Sequence, residues 1–144
     1  MLTLALRCDA SAPSNARRAV DVTLTDEPAG GDVRLVVSEL VSNAVRHSGA
    51  GRGDVLRLCI RLSDELVEIL VRDTGQSGDA PHIRPREGTS PGGLGLRIVE
   101  RLALRWGSET PPRAGRVVWA RIPRGPTSLP RRPAVASAPT DSGS

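Results

Sequence analysis

With 144 residues, 38% of them hydrophobic, the chain is long enough for one domain and short for two, and a fold of this size buries roughly 65–70% of its unfolded surface. All 20 basic residues are Arg, which excludes Walker-type phosphate loops and lysine Schiff bases; two cysteines without C-x-x-C and two histidines without H-E-x-x-H argue against zinc. Of the net charge of +4, half belongs to residues 123–144, and no basic run exceeds two neighbours; with Phe and Tyr absent as well, direct nucleic-acid binding is not expected.

In chain order, Leu2, Leu4 and Leu6 alternate with Thr3, Ala5 and Arg7 and predict a half-buried strand. Asp9 to Asn15 offers caps and Pro13, and Ala16 to about Leu24 reads as helix. Asp32 is an N-cap candidate for a second helix, in which Val33, Val36, Val37, Leu40, Val41, Ala44 and Ser48 fall on one face and which ends near His47. Leu56, Leu58, Ile60 and Leu62, then Val67, Ile69 and Val71, alternate on either side of the polar turn Ser63-Asp64-Glu65 and predict a hairpin. A long Gly- and Pro-rich stretch runs from Asp73 to Gly93, of the kind that in compact domains is functional or disordered. Leu94 to Leu104 returns to helix, and short strands near Trp106–Glu109 and Arg116–Ile122 close the domain. This order, β-α-α-β-β-loop-α-β-β, predicts an α+β fold, a two-layer sandwich whose mostly antiparallel sheet carries helices on one face. Residues 1–122 read as one domain, and residues 123–144 as a disordered Pro/Ser/Ala-rich tail that cannot repay its ordering entropy. No apolar run approaches a membrane span and the N-terminus lacks the layout of a signal peptide, so a cytoplasmic protein is expected.

Three segments could carry chemistry. In S-E-L-V-S-N-A-V-R-H at 38–47, Glu39, Asn43, Arg46 and His47 share the face opposite the apolar one, with a carboxylate and a carboxamide one turn apart. In D-T-G at 73–75, Asp73 leaves a strand as a hydrogen-bond acceptor beside Gly75, which permits close approach by an amino-bearing planar ring. In G-G-L-G-L at 92–96, glycines run straight into a helix, whose free N–H groups and positive dipole end suit phosphate. Each also has an ordinary reading: a solvated polar face, a turn after a strand, a flexible loop ending in a cap.

Taken in this order, and with G-R-V-V-W-A-R-I at 115–122 as a closing strand, the segments resemble the nucleotide-binding domain shared by gyrase, Hsp90-type chaperones, histidine kinases and MutL-type ATPases. Within that superfamily the chain is similar to the bacterial anti-sigma factor serine kinases of the partner-switching type, over about Leu2 to Ile122. The resemblance implies a Bergerat-type α/β sandwich that binds ATP. It implies that Asp73 accepts from the adenine amino group and that Asn43 holds Mg²⁺ between the phosphates. Glu39 becomes the general base or orients the nucleophile, and the backbone of Gly92, Gly93, Leu94, Gly95 and Leu96 wraps the phosphates. It also implies a sigma factor and an anti-anti-sigma protein as partners and a homodimer, for which the first strand and helix, with Leu2, Leu4 and Leu6, offer an apolar seam. The chain departs from the family pattern at Ser77, where a second Gly is usual and Gly78 follows, and at Val117, where members often place a Thr near adenine. His47 is expected to be a structural partner at the helix end, and His82 has no assigned role.

Three functions compete: a serine protein kinase, a nucleotide-binding module that shapes a regulatory surface without phosphotransfer, and a detached sensor-kinase domain. The last needs a phosphoacceptor His on a dimerising helix, which neither His47 nor His82 provides. Holding both Glu39 and Asn43 favours the kinase, because a pure binder has no need of a base.

Overall fold

The computed structural model describes residues 1–47, 54–73, 92–109, 111 and 115–125. Its elements follow the expected order: β1 (Leu2–Arg7), α1 (Ala12–Thr23), α2 (Gly30–His47), β2 (Val55–Leu62), β3 (Leu66–Asp73), α3 (Gly92–Leu102), β4 (Arg105–Glu109) and β5 (Val117–Pro123). The strands make one sheet in the order β1-β2-β3-β5-β4, each neighbouring pair antiparallel. The fold is a two-layer α/β sandwich.

Side-chain alternation decides which face of the sheet the helices cover. Leu56, Leu58 and Ile60 of β2, Val67, Ile69 and Val71 of β3, and Val118, Ala120 and Ile122 of β5 are all buried on one side. From the other layer α2 supplies Val33, Val36, Val37, Leu40 and Val41, and it packs on β2, β3 and β5 with α1 and α3 at its flanks. Removing this apolar surface from water is what joins the layers, at roughly 25 cal/mol per Å². Leu6 is buried and Leu2 and Leu4 pack against the same core, so the leucines of β1 serve the interior and are not left as an apolar edge.

The β2–β3 hairpin turns at Ser63, whose N–H donates to the Leu66 carbonyl (2.9 Å) while its hydroxyl accepts from the Leu66 N–H (3.1 Å). Helix boundaries moved from those expected, for local reasons. The Asp9 carboxylate accepts from the Ser11 hydroxyl and from the Ser11 N–H (2.8 Å), bonds that, the hydroxyl's first, hold its carboxyl below the ordinary range; with Pro13 in the first turn, α1 starts at Ala12, four residues early. Asp32 is not the N-cap of α2: the Val33 N–H already donates to the Ala29 carbonyl (2.9 Å), which starts the helix at Gly30 and leaves Asp32 in its first turn, still favourable to the dipole. Likewise α3 begins at Gly92 and ends at Leu102, because the Leu104 N–H is taken by the Arg121 carbonyl of the sheet (2.8 Å).

At the other end β5 runs through Pro123, and Arg124 grips the α1–α2 connection through Glu27. The two tryptophans lie on opposite faces of the sheet. Trp106, opposite Ala120, belongs to the helix side, and its enclosed Nε1 makes no hydrogen bond among the described residues. Trp119, opposite Gly107, lies on the open side; a Cβ at Gly107 would stand 2.8 Å from its Cζ2, so only glycine lets the indole lie down on β4. Of the expected tail at 123–144, residues 126–144 lie outside the described residues, while Pro123 and Arg124 differ from the expectation because strand pairing and the Glu27 ion pair order them.

Candidate functional site

Among the described residues two polar side chains are buried, Asn43 of α2 and Asp73 at the end of β3, each 8% exposed. Asp73 is there by alternation: it follows Val67, Ile69 and Val71 on the helix side of β3, one step after the apolar residues end. Its N–H donates to the Arg116 carbonyl (2.9 Å), which carries the β3–β5 pairing past the strand. Arg116 follows Gly115, whose φ of 72° lies in the left-handed region that glycine enters without strain.

The position facing Asp73 on the helix side is therefore Arg116, and the expectation for Val117 needs correcting. Val117 pairs with Arg72 and turns to the open side of the sheet. The half-buried Arg116 donates from Nε to the Ser108 hydroxyl (3.1 Å). Burial pushes its guanidinium below the ordinary value, and the negative charge of Asp73 offsets part of that effect. The sequence held a signal for Arg116, since in a strand a shift of one residue exchanges faces, and register decides between neighbours.

Asn43 also differs from its expected place on a solvated face. It stands seven residues after Val36 and three after Leu40, which at 3.6 residues per turn sets it on the margin of the buried arc. There α2 is flanked by α1 and α3 as well as by the sheet. No hydrogen bond joins the Asn43 carboxamide to another described residue. Glu39, one turn earlier, is half-buried, and Arg46 is exposed. Ser38, beside Glu39, accepts from Arg17 Nη1 of α1 at 2.8 Å, which ties the first helix to this part of α2.

The third segment lies on α3, which packs against α2 and β4 through the buried Val99. Gly92, Gly93, Leu94 and Gly95 open this helix, so their N–H groups are the ones with no partner inside it. The candidate residues thus sit on neighbouring elements: Glu39 and Asn43 on α2, Asp73 on β3, and the glycine turn with Leu96 on α3. Gly75, Ser77, Gly78 and His82 lie outside the described residues, as does the His47 side chain. Among the described residues no three His, Cys, Asp or Glu side chains gather as a metal cluster, and no helix is long and apolar enough to cross a membrane.

The family model of the histidine kinase-like ATPase domain matches residues 8–122. The chain belongs to this family. The serine-protein kinase RsbW of Staphylococcus epidermidis is 31% identical, over 49% of this chain and 52% of that protein. RsbW of Halalkalibacterium halodurans is 33% identical, over 49% of each chain. The chain spans about half the length of these curated relatives. The histidine kinase domain of the blue-light activated histidine kinase of Erythrobacter litoralis EL346 superposes with a TM-score of 0.52 at 20% identity, over 79% of this chain and 60% of that one, a likeness of fold. A histidine kinase-like ATPase domain of this kind is a nucleotide-binding fold, and the α/β sandwich agrees with it.

Proposed function

We propose that the chain is an ATP-binding regulatory serine protein kinase that binds a sigma factor and phosphorylates an anti-anti-sigma partner. The observation that carries this reading is the burial of Asn43 and Asp73, two polar groups enclosed within a histidine kinase-like ATPase domain. Burying a carboxamide is costly unless something binds it, and Asn43 has no hydrogen bond to another described residue. Kinship with proteins named serine-protein kinase supports the choice of acceptor.

In this reading Asp73 accepts from the adenine amino group, and Gly75 lets the ring approach the backbone. The N–H groups of the glycine turn, Gly92 to Leu96, hold the phosphates at the positive end of α3. Asn43 offers a neutral oxygen, the donor that suits a hard cation already facing anionic phosphates, and its carboxamide is not engaged by another described residue. A Mg²⁺ ion held by the Asn43 oxygen would supply positive charge against the phosphates. Glu39 takes or aligns the proton of the partner serine as its oxygen bonds to the γ-phosphorus and ADP leaves. The protein works in the cytoplasm, as a homodimer that uses the unpaired edge of β1.

The test is transfer of label from γ-labelled ATP to an anti-anti-sigma protein, run beside nucleotide calorimetry. Label on the partner serine is the expected result. ATP binding without transfer, across several partner proteins, would leave a nucleotide-binding module in place of a kinase.

A further inference from the structure

Arg116 lies in the candidate site but has no part in the chemistry given to Glu39, Asn43 and Asp73. One step beyond the Arg72–Val117 pair, the Asp73 N–H donates to the Arg116 carbonyl (2.9 Å), so the two residues face each other directly across neighbouring strands. Directly opposed residues of an antiparallel pair hold their Cβ atoms about 5 Å apart on one side of the sheet. Here that is the side of Val71 and Val118, against which α2 packs. The direction of the Arg116 side chain is held too. Its Nε donates to the Ser108 hydroxyl of β4 at 3.1 Å, which uses one of the five N–H groups of a guanidinium. The others, on Nη1 and Nη2, make no hydrogen bond to a described residue. They belong to a half-buried cation that burial has stripped of part of its water, the first cause of its lowered pKa. An acceptor is therefore favourable beside Asp73, where the nucleotide reading puts a purine ring.

We propose that Arg116 is a specificity-determining residue of the nucleotide site, its guanidinium donating to the ring nitrogen beside the amino group that Asp73 binds. The proposal rests on the nucleotide reading and adds a second point of recognition to it. The edge of adenine presents a donor, the amino group, next to a lone-pair acceptor, N1 on one flank and N7 on the other. Asp73 and Arg116 present the complement, an acceptor next to a donor, on neighbouring strands. A carboxylate alone recognises an amino group on any ring, whereas the pair recognises an amino group and a ring nitrogen together. Two other roles use the same side chain differently. A contact made only with Asp73 would leave the ring nitrogen unread, and a contact with the phosphates would leave the whole base unread. The base is favoured because Arg116 faces the residue that reads the base, while the phosphates are assigned to the N–H groups that open α3.

The test uses the full chain and calorimetry with ATP, adenosine, and the analogues 1-deaza-ATP and 7-deaza-ATP, which carry C–H in place of one ring nitrogen. In wild type one analogue should bind about tenfold or more weakly than ATP, as expected for a lost hydrogen bond to a charged group, and the other within about threefold. Arg116→Met should weaken ATP and adenosine by a factor similar to that of the weaker analogue, and should remove the difference between that analogue and ATP. Arg121→Met, the same change on the open side of the sheet, should leave ATP binding within about twofold. Thermal unfolding shows which variants are folded, and the wild-type analogue series needs no variant. Two analogues that both bind like ATP, an Arg116→Met protein that still discriminates against the weaker one, or a loss seen with ATP but not with adenosine would each overturn the proposal and leave the nucleotide reading standing. A wild-type chain that binds no ATP would overturn the nucleotide reading itself, and this proposal with it.

Discussion

Arg124 and Glu27 meet in a two-point ion pair across 97 positions of sequence, Nε to Oε1 at 3.0 Å and Nη2 to Oε2 at 2.7 Å. The fork-to-fork geometry fixes the α1–α2 connection to the end of β5. A hydrogen bond from Arg124 is the main reason the Glu27 carboxyl is held below its ordinary value of 4.5. A carboxyl lowered on folding contributes stability above its unfolded pKa and loses it as pH falls through the lower folded value. Wild type should therefore be more stable than Glu27→Gln at pH 7, with the gap closing below about pH 4.5. Urea unfolding of both proteins from pH 7 to pH 3 checks this; a gap that does not change with pH would contradict it.

Asp73 should set nucleotide choice. Adenine offers an amino group where guanine has a carbonyl, and a buried carboxylate left facing an acceptor costs about 1–3 kcal/mol. ATP should bind at least about fivefold more tightly than GTP by that figure, and Asp73→Asn should narrow the difference. Calorimetry with both nucleotides decides; equal affinity in wild type removes the assignment.

Asn43→Ala should abolish the Mg²⁺-dependent part of ATP affinity and leave adenosine binding in place. Because no described group depends on the carboxamide for a hydrogen bond, the variant strands no partner, and its unfolding should stay cooperative within about 1–2 kcal/mol of wild type. Normal Mg-ATP binding in the variant would reduce Asn43 to a packing residue.

Glu39→Gln keeps the size and hydrogen bonding of the side chain and removes the base. ATP binding should be retained while transfer to the partner serine falls about 10²- to 10⁴-fold, the usual contribution of a positioned base. Single-turnover labelling measures this directly; unchanged transfer would assign the proton to another residue.

Gly107→Ala brings a methyl group to 2.8 Å from the Trp119 ring, on a half-exposed face where the indole has some room to lift. A destabilisation of about 1–2 kcal/mol is expected, at the lower end of overpacking costs. A differential melting experiment checks it, and a variant as stable as wild type would show that the indole moves freely.

Much of the fold was legible because the pattern and the period agreed. The alternations in β2 and β3 and the 3-4 spacing of Val33 to Val41 each allow one buried face, and the structure buries that face. Helix ends were less legible, since they depend on single bonds made in three dimensions, such as Val33 to Ala29 and Leu104 to Arg121. The same limit applied at the candidate site. Asn43 sits on the margin of the apolar arc, where a sequence pattern does not say which neighbour will cover it. Arg116 and Val117 differ by one position and hence by one face, and only pairing with β3 separates them.

Trp106 and Trp119 are the only aromatic side chains in the chain, one beneath each face of the sheet. All ultraviolet emission of the protein therefore comes from two reporters that look in opposite directions. Trp106, part-buried against the core with its Nε1 enclosed, should be more sensitive to events on the helix side, and the part-buried Trp119 to events on the open face. A label-free spectrum can thus distinguish an event in the nucleotide layer from one on the open side of the sheet, without any residue being changed to make it visible.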